Sequence, residues 1–236
     1  MAAADETTHA LLSSDDELVA AIWAFDDYCR ERLWANADVD AVALVLMMNA
    51  YQMYLAGVRT ALGGHTTAVF PQLRTALESA AYGGLIVAQP ELAGTWTSRH
   101  QSDAARKACR DHFTFAKAIK PLKARAPSIH DLSNDAYDNA IDFGAHPNIK
   151  GVFGHVTVDE DRPDGFYGVN HTSLYGPGHI ETVRGLCACL DFGLAIISII
   201  ALSLPMPDDQ IAEDLQRLSD AKNAATAPYD RPPEEV

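Results

Sequence analysis

Apolar residues recur along this chain at steps of three and four for most of its length, the spacing that gathers side chains on one face of an α-helix. Leu18, Ile22, Phe25, Cys29 and Leu33 form the first such stripe, and Ser14 with Glu17 has the spacing of a capping box at its start. From about Asp38 to Leu62 the chain is apolar nearly all round, through Val42, Leu44, Val45, Leu46, Met47, Met48, Met53, Leu55 and Val58. Gly63 and Gly64 supply a stop, so the pattern predicts a central buried helix. A third helix is expected from about Ala68 to Ala88. Pro71 sits near its start, where a missing N–H is tolerated, and Ala76, Ala80, Ala81, Gly83 and Gly84 let a neighbour approach closely.

After Gln89 and Pro90 a helical stretch from Glu91 to about Lys120 is expected, with an interruption near Ser102. Ala104, Ala108, Phe115 and Ile119 are placed on one side of it, and Arg99, Arg106, Arg110 and Lys117 on the other. Pro121 and Pro127 bracket a turn, Ser133 is a candidate cap for a short helix through Phe143, and His146 must leave that helix because Pro147 follows it. Between Gly151 and Gly178 the period changes to about two. Val152, Val156 and Val158 share a face, and Pro163, Asp164 and Gly165 supply a turn, which predicts a β-hairpin at about 151–175. A long helix then carries Val183, Leu186, Leu190, Leu194 and Ile197 up to Pro205. Its uncharged run is too short to span a bilayer, so it reads as a core helix, and Ile211, Leu215 and Leu218 mark a last amphipathic one. The expected architecture is mainly α: a bundle of about seven helices with one β-hairpin inserted before the penultimate long helix. Residues 1–225 read as a single domain without internal repeat or linker, followed by a flexible acidic tail, 226–236.

Composition supports a folded core, since 48% of residues are hydrophobic and 21% charged, unlike a disordered chain. The 18 basic against 32 acidic side chains, a net charge of −14, disfavour nucleic acid, whose phosphates require clustered Lys and Arg. Cys29, Cys109, Cys187 and Cys189 lack paired spacing, and the start Met1-Ala-Ala-Ala-Asp5-Glu6 is acidic where a signal peptide is basic. Both features point to a cytoplasmic protein; no membrane association is expected, and a chain of this size needs no cofactor to fold, so none is assigned.

Three constellations bear chemistry. Arg74, Glu78 and Tyr82, at successive steps of four, draw a polar line along an otherwise apolar helix; buried charges must be paired, so the line is either a structural bridge or a clamp for a ligand. His146, His155, His171 and His179 cluster around the hairpin, but no zinc or di-iron helical motif accompanies them, and no metal site is assigned. The stretch Arg99 to Arg125 holds eight Lys or Arg against Asp103 and Asp111, and its Arg99, Arg106, Arg110 and Lys117 are candidates for anion binding or for docking on an acidic surface. No G-x-S-x-G, phosphate loop or dinucleotide fingerprint is present.

The segment Leu73 to Tyr82, with its R-x-x-x-E pair, and the later Tyr137, Ile141, Ala145 and His146-Pro-Asn148 resemble a family of bacterial helical-bundle proteins of unsettled activity, distantly like the HEPN superfamily. The resemblance covers about a third of the chain. It implies an α-bundle and dimerisation, and some HEPN members are metal-independent ribonucleases that pair an Arg with a His four to six residues on. Arg59 and His65, Arg106 and His112, and Arg125 and His130 all match that spacing, none of them involving His146, so ribonuclease catalysis is not carried over. The expected function is a small-ligand-binding or protein-interaction module, a homodimer, with Arg74, Glu78, Tyr82, His146 and Asn148 around a small anionic ligand. The alternatives are a HEPN-like ribonuclease or other nucleotide-acting enzyme, and a metal-dependent hydrolase built on the hairpin histidines.

Overall fold

The computed structural model describes residues 1–35, 37–145, 149–159, 168–205 and 207–230. In chain order the helices are α1 (Ala2–Leu12), α2 (Glu17–Tyr28), α3 (Ala41–Leu62), α4 (Thr66–Ala88), α5 (Leu92–Thr97), α6 (Asp103–His112), α7 (Phe115–Ile119), α8 (Leu122–Arg125), α9 (Pro127–Ala140) and α10 (Ile149–Phe153). Strands β1 (Val156–Asp159) and β2 (Gly168–His171) follow, then α11 (Ile180–Ser203) and α12 (Asp208–Thr226). The fold is a mainly α bundle with a two-stranded hairpin before the late long helix, as the periodicity predicts.

The stripe Leu18, Ile22, Phe25, Cys29 and Leu33 is buried throughout. Its helix starts later than Ser14: Asp16 caps α2 by accepting from Val19 N at 3.1 Å, and the Ser14 hydroxyl instead donates to the carbonyl of Leu11. A carboxylate placed one residue before the helix outcompetes a hydroxyl two residues farther out. The acidic N-terminal residues form a helix of their own, α1, favoured by its alanines and anchored by buried Leu11.

The centre of the core is α11, not α3. Both helices are long and apolar enough, by length and composition, to cross a membrane, but 78% of the apolar window of α11 is buried against 39% for α3. Helix α11 touches α2, α3, α4, α9 and α12, and every residue from Phe192 to Ala201 is buried. One flank of α3 is left open, and Val45 and Met48 stand 64% and 48% exposed. Hydrophobicity all round a helix states what it can bury but not how many neighbours surround it.

Helices α3 and α4 pair along their length. A Cβ added to Gly83 would come within 2.8 Å of Met47 Cγ and 3.0 Å of the Ala43 carbonyl, so the two helices pack closely at that position. Pro71 lies inside α4 and cannot donate to the carbonyl of Thr67. Gly144, at φ 146°, packs against that oxygen, where a Cβ would stand at 2.8 Å.

Several boundaries differ from expectation. The stretch from Glu91 divides into α5, α6 and α7, with Ser102 capping α6 through Ala105 N at 3.1 Å. Ala104 and Ala108 are exposed, whereas Phe115 and Ile119 are buried on the separate α7. Ser133 is a fully buried mid-helix residue of α9 bonded to the Ile129 carbonyl, not a cap. Val152 belongs to α10, and pairing runs only from Val156 opposite His171 to Asp159 opposite Gly168; the turn at 163–165 lies outside the described residues. Helix α12 extends to Thr226 and closes in a 3₁₀ turn over Ala227–Tyr229, so the expected tail does not begin at 226.

Candidate functional site

Helix α4 presents Arg74, Glu78 and Tyr82 one turn apart, yet the line does not stay on one side. Eight residues make about 2.2 turns, so the two ends diverge by roughly 80° around the axis. Arg74 faces α9. Its Nε donates to Glu78 Oε1 at 3.1 Å and its Nη2 to the Tyr137 hydroxyl at 2.8 Å, with the guanidinium carbon 4.9 Å from the Tyr137 ring centre. The Tyr137 ring stacks on Phe115 of α7, 4.2 Å between centres and 5° between planes. Burial alone would lower the Arg74 pKa, but Glu78 and Tyr137 more than offset it, and the guanidinium is held charged. The Tyr137 phenol is raised, by burial first and then by Glu78, against the opposing charge of Arg74. This half of the line is therefore a structural tie between α4, α9 and α7.

Tyr82 faces the other way, into a cleft of about 450 Å³ with α3 and α4 on one side and α5 and α6 on the other. Such a volume lies within the roughly 300–1,000 Å³ of small-molecule sites. Tyr82 packs against Trp96 and Phe113 at ring separations of 5.7 and 5.5 Å, and Trp96 and Phe113 meet at 5.0 Å. Burial, reinforced by Glu78, pushes the Tyr82 phenol well above its ordinary value, so it remains a neutral hydroxyl. Asn49 of α3 donates to the Ser79 hydroxyl at 3.0 Å, and Ser79 in turn to the Thr75 carbonyl at 2.7 Å. Glu78 completes this wall, so its carboxylate serves both the Arg74 tie and the cleft.

The facing wall carries Arg99, from the turn after α5, and Cys109 and Arg110 of α6. Arg99 Nε is buried and, among the described residues, has no hydrogen-bond partner. A guanidinium N–H withdrawn from water without an acceptor is costly, and native structures rarely keep one without a reason. The Cys109 thiol is raised by burial, with Arg99 opposing, so it stays protonated and is a poor nucleophile. Among the described residues no histidine lines the cleft.

The predicted groups therefore recombine. Glu78 and Tyr82 from the polar line meet Arg99 and Arg110 from the basic stretch, while Arg74 lies outside the lining. Arg106 pairs with Asp103 at 3.2 Å and Lys117 donates to the Asp111 carbonyl, so neither joins the site. His146 and Asn148 lie outside the described residues. Asn49, Trp96, Cys109 and Phe113 were not singled out from the sequence. Trp96 precedes Arg99 by three and Phe113 follows Arg110 by three, but each pair straddles a helix end, so helical spacing gives no signal for them.

The hairpin histidines are bound into the structure. Buried His155 has Nδ1 2.6 Å from the Tyr175 hydroxyl, and His179 stacks on Tyr175 at 4.4 Å while its Nδ1 accepts from Glu181 N to cap α11. The His171 ring lies 6.5 Å from that of His155. Among the described residues no three His, Cys, Asp or Glu side chains gather closely enough to hold an ion. Set against protein-family models, curated proteins and solved structures, the chain finds no match in any of the three.

Proposed function

We propose that this protein is a small-ligand-binding module whose cleft between α3–α4 and α5–α6 holds an anionic molecule. The observation that carries the reading is Arg99: a buried guanidinium N–H, without a hydrogen-bond partner among the described residues, in the wall of a cleft lined by three aromatic rings. Arg110 adds a second cation to the same wall, and the rings offer a platform for an apolar or planar body. The test is calorimetric titration of 3-phenylpropionate, an acid with one ring, into the wild type and Arg99→Met. Saturable binding lost in the variant supports the reading, and equal behaviour of the two proteins rejects it.

The same proposal includes a homodimer. Its support is the open flank of α3, uncharged between Asp40 and Arg59, where an antiparallel pairing of two copies would cover Val45 and Met48 and bring each Arg59 towards the other copy's Asp40. Sedimentation equilibrium of the wild type against Met48→Glu checks it: a dimer that the charge dissociates is expected, and a wild-type monomer at high concentration removes the proposal.

A further inference from the structure

The two walls of the cleft carry opposite charges that do not close on each other. Glu78 stands on the α4 side, whereas Arg99 and Arg110 stand on the α5–α6 side, and among the described residues neither arginine enters an ion pair. Glu78 is instead turned to Arg74, 3.1 Å away on its own helix. A carboxylate in the opposite wall weakens the attraction of a purely anionic ligand, because like charges repel strongly where water is partly excluded. The combination suits a molecule that brings a positive or N–H-bearing group to the acid as well as an anion to the arginines.

Glu78 has the capacity for this. An ionised carboxylate offers about four acceptor positions on its two oxygens. Arg74 Nε takes one of them. Tyr82, Trp96 and Phe113 pack on one another and join the two charged walls; Phe113 is buried, and the half-buried Tyr82 and Trp96 give the cleft an apolar aromatic surface for a flat ring. Resting on the reading of the cleft as a ligand site, we infer that the ligand is amphoteric. It has a flat ring with an acidic group for Arg99 and Arg110 and an ammonium or N–H group for Glu78, the chemistry of an aromatic amino acid or an amine-bearing aromatic acid.

The experiment compares three probes by calorimetry on the full chain: L-phenylalanine, 3-phenylpropionate, which lacks the amine, and phenethylamine, which lacks the acid. Phenylalanine is expected to bind more tightly than either half by about tenfold or more. In Glu78→Gln its advantage over phenylpropionate should fall to within about threefold, while phenylpropionate itself binds as well or better. If Glu78→Gln does not fold, the comparison of the three probes on the wild type still decides. Phenylpropionate binding as tightly as phenylalanine overturns the amphoteric ligand and leaves the anion site standing. No binding by any of the three overturns both.

Discussion

Arg74 on α4 reaches across to α9 and donates through Nη2 to the hydroxyl of Tyr137, 2.8 Å away, while its Nε holds Glu78. Two charge-assisted contacts thus converge on one guanidinium whose side chain is only 20% exposed. Truncation in Arg74→Ala should cost about 1–2 kcal/mol, since hydrogen bonds to charged groups are worth more than neutral ones but this pair still sees solvent. For a chain of this size that lowers the melting temperature by roughly 2–8 °C. Tyr137→Phe keeps the stack on Phe115 and should cost about 1 kcal/mol. The two changes should be non-additive, because each breaks the same bond. Strict additivity in denaturant unfolding of the double variant would show that the tie contributes nothing.

Arg99 makes the opposite prediction. Its buried Nε lacks a partner among the described residues, so replacing the guanidinium by the thioether of Met removes an unsatisfied donor and preserves much of the stem's packing. Arg99→Met should leave the unliganded protein as stable as the wild type or about 1 kcal/mol more so, measured by thermal unfolding without added anion. A large loss of stability would identify Arg99 as a structural residue and undercut the binding role.

Gly83 tests the helix packing that frames the cleft. In Gly83→Ala the new methyl group meets Met47 Cγ at 2.8 Å and the Ala43 carbonyl at 3.0 Å, and only the methionine can move away. The helix gains intrinsic propensity but α3 and α4 must separate, with an expected net loss of about 1–3 kcal/mol. An unchanged urea midpoint would mean that the two backbones are not in close contact there.

The tyrosines predict the alkaline limit of stability. Burial, with Asp214 adding to it, raises Tyr28 to about 12, and Tyr51, Tyr54, Tyr82 and Tyr137 are also raised with burial as the leading cause. A folded-state value above the unfolded one means that the native state binds the proton more tightly. The associated stability is complete below about pH 10, where free tyrosine ionises, and is lost as pH rises through the folded values. Tyrosinate absorbance should therefore appear together with loss of helical circular dichroism, whereas full ionisation in a still-helical protein would contradict the burial.

Much of this fold was legible because periodicity, proline and glycine act locally. The stripe from Leu18 to Leu33, the stop after Leu62 and the long helix ending before Pro205 all follow from spacing within a few turns. What stayed hidden depends on neighbours distant in sequence. Nothing near Met48 in the chain says that α3 has an open flank, and nothing near Leu190 says that α11 is enclosed. The site was half legible for the same reason. Spacing brought Arg74, Glu78 and Tyr82 into one line, but helical drift divides that line between α9 and the cleft, and only the packing of α5 and α6 on α4 brings Arg99 and Arg110 to Glu78. No spacing rule connects residues joined through two intervening turns.

The most direct measurement uses Trp96 as its own reporter. Of the three tryptophans only Trp96 lines the cleft, so Trp23→Phe and Trp34→Phe together leave its fluorescence as the sole indole signal. Titration with 3-phenylpropionate should then give a saturable change that disappears when Arg99→Met is added to the background. A flat response, or a saturable one that persists without Arg99, would contradict an anion site in this cleft.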